Sequence, residues 1–429
     1  MTPRIARIEW DGSGRAELAA RLRAMAPPLD EVTADVREIL ARVRRDGDAA
    51  VRELTLRFDE LAPERLRVDA ETLAAAAELL EPPVREALRV AGRNIAAVAR
   101  AEAEVISRPA IAAGGQGQAI EVRHEPVGSA GIYAPGGTAA LASSVLMCCL
   151  PARIAGVERI AVATPPGPDG RPAAAVLAAC ALLGVEEVYA IGGAQAIAAF
   201  AYGTESVPAV DVVAGPGNRY VAEAKRLVYG HVGVDGVIAG PSELMVVADG
   251  TAVPEQLALD LCAQAEHGGT SPLVLASPDV ALLDAIAERV VEVAEHRPSV
   301  GDAPLALVAT PGIELAIDLA DAFAPEHLEL AFASADEAAA RSRIAGCVFV
   351  GAGGATAFGD YAAGSNHVLP TGGAARFAGP LGPAAFMRRT SVVSIPGAAA
   401  TALAPHVAAL ADAEGLPVHG ESAEARMQR

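Results

Sequence analysis

Aromatic side chains make up only 3% of the 429 residues, and Lys225 is the single lysine among 34 basic residues. Five cysteines stand at 148, 149, 180, 262 and 347, and no two have CxxC spacing. An odd number of scattered thiols argues against a disulfide framework and leaves them as small core residues. A metal, if bound, must then be held by imidazole, carboxylate or amide groups. The longest uncharged apolar runs, 139–152 and 172–185, fall short of the ~20 residues a membrane span needs. The leading MTPRIARIEWDGSG lacks the apolar segment of a signal peptide. These absences point to a reduced, cytoplasmic chain without a membrane partner. A P-loop, a G-x-S-x-G elbow and an H-E-x-x-H helix are all missing, which removes the usual NTPase, α/β-hydrolase and zinc-protease signatures.

What is present is apolar and acidic. Hydrophobic residues reach 52% against 20% charged, enough for a large core in about three units. A net charge of −19 repels phosphate backbones and excludes nucleic acid as a natural partner.

Residues 30–107 carry helical spacing, with Val32, Val36, Ile39, Leu40 and Val43 on one face and Asp30 as the expected N-cap. Alternation over 119–128 predicts a strand. From 130 to 240, short apolar runs such as RIAVAT (159–164) alternate with Ala-rich helical runs, and 240–380 repeats that style. Such alternation is the pattern of open parallel sheets covered on both faces, an α/β fold. Residues 384–429 read as a short tail with a helix near 402–413.

Gln264 and His267, three residues apart, share a helix face in AQAEHG. They are either half of a mixed nitrogen–oxygen metal site or an ordinary helix end, with His on the dipole and Gly268 as the cap. Glu326 and His327 in FAPEHLEL put a carboxylate beside an imidazole at a strand entrance, which suits acid–base work or a half-buried surface pair. Asp360 and His367 lie in a Gly-rich loop that could hold a site or merely connect. Glu414 and His419 lie near the C-terminus, where a loose tail is the default. VVAGPGNRYVAEAK reads as strand, Gly-rich turn and helix, a place for a phosphate but a weak dinucleotide fingerprint.

Taken together, IYAPGG, GGAQAIAAFAYGTESVP, GPGNRYVAEAKR, AGPSELMVVAD, DLCAQAEHG, APEHLEL, GDYAAGSNHVLPTGGAARF and EGLPVHGESAEAR resemble the histidinol dehydrogenase family, in that family's order from about 30 to 425. The resemblance implies two Rossmann-like, doubly wound parallel-sheet domains with small N- and C-terminal helical pieces. Their expected limits are 30–129 with 240–380 for the first and 130–239 for the second, NAD-binding one. Residues 381–429 would form a tail exchanged between subunits of a homodimer. Residues 1–29 match poorly and are given no role.

It further implies a zinc ion on Gln264, His267, Asp360 and His419. Two NAD-dependent oxidations would carry histidinol through the aldehyde to histidine, with His327 as the base and Glu326 activating water. Ser242, His367 and Glu414 align with substrate-contacting positions, alongside the metal ligands and His327. Tyr133, Gln195 and Asn218 align with NAD-contacting ones. Two other readings compete: a related zinc and NAD dehydrogenase for another polar alcohol, such as a sulfonated diol, and a zinc hydrolase or non-catalytic metal-binding protein.

Overall fold

The computed structural model describes residues 3–27, 29–61, 64–136, 141–235, 241–341 and 344–427. Two parallel sheets dominate it. The larger has six strands in the order Arg4–Glu9, Pro304–Ala309, Leu273–Ser277, Leu244–Ala248, His327–Ala331 and Cys347–Val350. The smaller has five: Glu187–Ala190, Arg159–Thr164, Ser129–Tyr133, Val212–Ala214 and Gly233–Val234.

Side chains alternate along a strand, so a sheet buried on both faces feeds two cores. Leu244, Val246 and Ala248 enter one cluster while Met245 and Val247 enter another across the sheet. Ile160 and Val162 likewise oppose Ala161 and Ala163 in the smaller sheet. This is the α/β, doubly covered parallel architecture that the alternating runs imply. All five cysteines are free thiols; four are buried and Cys347 is half-buried. No helix among the described residues is long and apolar enough to cross a membrane.

Several boundaries differ from expectation. The first long helix, Thr33–Asp59, has Val32 at its N-cap, not Asp30, and Gly47 breaks its backbone at φ +52°. Arg4–Glu9, left without a role in the sequence, is an edge strand paired in parallel with Pro304–Ala309. Ser129–Tyr133, a central strand of the smaller sheet, carried no strand signal. Past residue 381, Met387–Ser394 pairs antiparallel with Ala119–Pro126, which also pairs with Ala110–Ala113 in a third, three-stranded sheet. The chain then ends in two helices, Gly397–Ala413 and Pro417–Glu424, packed against each other.

The strand direction decides where the site lies. In the six-stranded sheet, Ser242, Glu243 and Glu326 immediately precede strands that begin at Leu244 and His327. Helix Pro254–Ala265 runs back from its strand, so its last turn returns to that same N-terminal edge. In the five-stranded sheet, Tyr133, Thr164 and Gly215 sit at the C-terminal edge. Helix Ala142–Ala155, which starts at that edge, touches the loop that carries His367.

Candidate active site

Immediately before the His327–Ala331 strand, Glu326 is buried and held by hydrogen bonds. Its Oε2 accepts from the Ser242 hydroxyl at 2.6 Å and from the Glu243 backbone N–H at 2.7 Å. Gln264 Nε2 donates to the same Ser242 oxygen at 2.5 Å. The other amide atom, Gln264 Oε1, is buried without a hydrogen-bond partner, an arrangement that native proteins seldom leave unexplained.

His327 is buried at 3% exposure. Its Nδ1 lies 3.1 Å from the Glu243 carbonyl and 3.4 Å from Glu326 Oε2, and its Nε2 lies 3.7 Å from Asp360 Oδ1. A carbonyl only accepts, so Nδ1 carries the proton and Nε2 keeps a lone pair in the neutral ring. Burial works against charge on His327, yet Glu326 and then Asp360 push it up to about 9. Burial by itself would raise the Glu326 carboxyl; the His327 charge and the Ser242 and Glu243 bonds hold it below its ordinary value.

His367 bridges the two halves of the cleft. Its Nδ1 is 2.8 Å from the Asp360 carbonyl and its Nε2 is 3.0 Å from the Ser144 hydroxyl of helix Ala142–Ala155. Burial holds its charged form down. Asn366 adds a 2.6 Å bond to the Met147 carbonyl of that helix.

The structure therefore brings Ser242, Gln264, Glu326, His327, Asp360 and His367 together. His267 is exposed in the turn after the Pro254–Ala265 helix. Glu414 and His419 are exposed on the C-terminal helical pair, and no side-chain hydrogen bond or ion pair ties them to the cluster among the described residues. Among those residues no group of three or more His, Cys, Asp or Glu converges as a metal site.

At the smaller sheet, the Tyr133 hydroxyl accepts from the Gly193 N–H at 3.1 Å, and burial pushes it up to about 12. Gln195 is 1% exposed, and neither of its amide atoms has a partner. Asn218 caps helix Arg219–Val228 by accepting from the Tyr220 and Val221 N–H groups. The turn before it is tight: Gly215 has φ +112°, and a Cβ there would lie 2.2 Å from the Tyr133 carbonyl oxygen. Lys225, fully buried, donates to the Gly215 carbonyl at 2.8 Å.

Sequence reasoning missed Glu243 and Ser144. Glu243 sat beside Ser242 in the turn-forming GPSE and offered that much of a signal; burial and the neighbouring Glu326 push its carboxyl up to about 8. Ser144 offered none, being one of two adjacent hydroxyls within an apolar run.

A family model described as histidinol dehydrogenase matches residues 24–427. A histidinol dehydrogenase of Moorella thermoacetica is 45% identical over 404 residues, covering 92% of this chain and 94% of its own. One of Thermobifida fusca is 43% identical over 434 residues, covering 99% and 98%. The crystal structure of histidinol dehydrogenase from Elizabethkingia anophelis superposes with a TM-score of 0.89 at 30% identity, over 99% of this chain and 98% of that one. The chain belongs to the histidinol dehydrogenase family of NAD-dependent oxidoreductases.

Proposed function

We propose that the protein oxidises L-histidinol through L-histidinal to L-histidine with two NAD, the closing steps of histidine biosynthesis, with zinc at the site. The observation that carries this reading is the buried Glu326–His327 pair, 3.4 Å apart and held by the Ser242 hydroxyl and the Glu243 backbone. Its geometry matches what two successive oxidations require, and relatives of the same length bear the histidinol dehydrogenase name.

In the first step His327, once deprotonated at Nε2, takes the hydroxyl proton there while the carbinol carbon gives up a hydride. Neutralising Asp360 would remove part of the pull that holds His327 protonated. The aldehyde has no hydroxyl, so a water must add before a second hydride can leave. Glu326, ionised beside His327, is placed to take the water's proton as its oxygen attacks the aldehyde carbon. Loss of a hydride from the resulting gem-diolate gives the carboxylic acid, which releases its remaining proton to leave the carboxylate. NAD, when bound near Tyr133, Gln195 and Asn218, accepts one hydride in each oxidation.

The donors present suit a divalent cation: an amide oxygen without a partner on Gln264, a carboxylate on Asp360 and an imidazole on His267. Zinc, when bound, would be held by these and by His419 of a second copy of the chain, and would supply positive charge for the substrate's nitrogens. Ser242 and His367 line the substrate's place, and Glu414 of the partner subunit offers a carboxylate to its cationic amine. That places the two C-terminal helices on a second copy of the chain in a homodimer.

Separate assays of the two half-reactions test the roles. His327→Ala is expected to slow both oxidations. Glu326→Gln is expected to slow the aldehyde step about 100-fold and the alcohol step far less. Equal loss in both steps would contradict water activation by Glu326.

A further inference from the structure

The C-terminal edge of the five-stranded sheet holds more unpaired polar atoms than the cofactor-contacting positions account for. Thr164 ends the Arg159–Thr164 strand with no exposure, and its hydroxyl has no partner. Asp59 ends the Thr33–Asp59 helix, and its Oδ2 is buried and also without a hydrogen bond. The two amide atoms of Gln195 complete the set.

These groups face one another's turns. A Cβ on Gly192 would lie 3.3 Å from Asp59 Oδ2 and 3.0 Å from Pro165 Cγ. A Cβ on Gly136 would lie 2.9 Å from Thr164 Oγ1. Small residues thus keep open the space in front of both oxygens. Burial alone pushes the Asp59 carboxyl up to about 6, so no neighbouring cation offsets it. A carboxylate at a helix end, a hydroxyl at a strand end and an amide in a helix's first turn, all wanting partners, is the chemistry that receives a vicinal diol.

We propose that Asp59 and Thr164 bind the adenosine ribose hydroxyls of the cofactor and so select NAD over its 2′-phosphorylated form. The assignment rests on NAD binding at this sheet. Asp59 sits against the turn after Glu187–Ala190, the edge strand, whereas the chemistry is tied to helix Ala142–Ala155 after the central strand. The reactive end of the cofactor therefore points away from Asp59, and the adenosine end points toward it. A phosphate on the 2′ oxygen would press further negative charge against a buried carboxylate, a costly contact without a cation between them.

The test is calorimetric titration of the full chain with ADP-ribose and with 2′-phospho-ADP-ribose, without histidinol, so that turnover plays no part. The wild-type chain is expected to prefer ADP-ribose by about tenfold or more, Asp59→Asn to lose about tenfold for ADP-ribose and most of that preference, and Thr164→Val to lose about threefold. Asp59→Asn that binds ADP-ribose as tightly as wild type and keeps the preference overturns the assignment. Unfolding midpoints are measured on the same samples. If Asp59→Asn does not fold, Thr164→Val decides alone, and unchanged ADP-ribose affinity overturns the proposal. A wild-type chain that binds neither ADP-ribose nor NAD removes the underlying NAD reading as well.

Discussion

Asp260 and Glu329 show how burial sets protonation beside the site. Asp260 lies one helical turn before Gln264, and Glu329 lies two residues beyond His327 on the same strand face. Burial raises both carboxyls, and the pair's shared hydrogen bond pushes Glu329 up to about 9. A carboxyl raised on folding contributes stability that is complete below its ordinary 4.5 and is lost as pH rises through about 9. Glu329→Gln, which mimics the protonated form, is therefore expected to match wild type in unfolding midpoint near pH 4.5 and to gain on it as the pH rises. By pH 9 it should be the more stable of the two. A variant whose midpoint falls in parallel with wild type across that range would contradict the shared proton. At this scale the sequence was legible where partners are neighbours, as in Glu326 and His327. Glu243, Ser144 and Asp59 were opaque, because their roles arise from burial and from contacts across long chain separations.

Whole elements are held by a few backbone requirements. The turn at Gly215 joins the Val212–Ala214 strand to the helix capped by Asn218, and it passes against the Tyr133 backbone. Ala at 215 would meet both a left-handed φ and a 2.2 Å backbone approach. Gly215→Ala is expected to cost about 1–3 kcal/mol in chemical denaturation and to raise KM for NAD; an unchanged unfolding curve would show that the turn is not under that constraint. Strands buried on both faces read clearly as apolar runs, and Arg159–Thr164 matches its expected limits residue for residue. Arg4–Glu9 did not, since its RIARIE sequence is charged and mostly exposed at a sheet edge. Ser129–Tyr133 is short and holds Ser and Gly, so its strand character comes from its position between two partners.

At the scale of the molecule, the N-terminal edge of one parallel sheet meets the C-terminal edge of the other, and the cleft between them holds the acid–base pair. The alternating runs announced two sheets; which edges would meet depends on the loop of Asn366 and His367, and nothing in their sequence announces it. Among the described residues no side-chain hydrogen bond or ion pair joins His419 or Glu414 to the cluster of their own chain, and the proposed homodimer would supply both from a second copy. Mixing His419→Ala chains with His327→Ala chains is expected to restore roughly a quarter of wild-type activity, through one intact site in each mixed dimer. No recovery would mean that the site is built within one chain.

The central claim is that one cluster performs two oxidations on one substrate. NADH yield per histidinol, measured to completion on metal-analysed protein, tests it most directly. The expected result is two NADH for each histidinol consumed, with a divalent ion bound and histidine as the product. One NADH per histidinol with the aldehyde accumulating, or turnover of a sulfonated diol and none of histidinol, would contradict it.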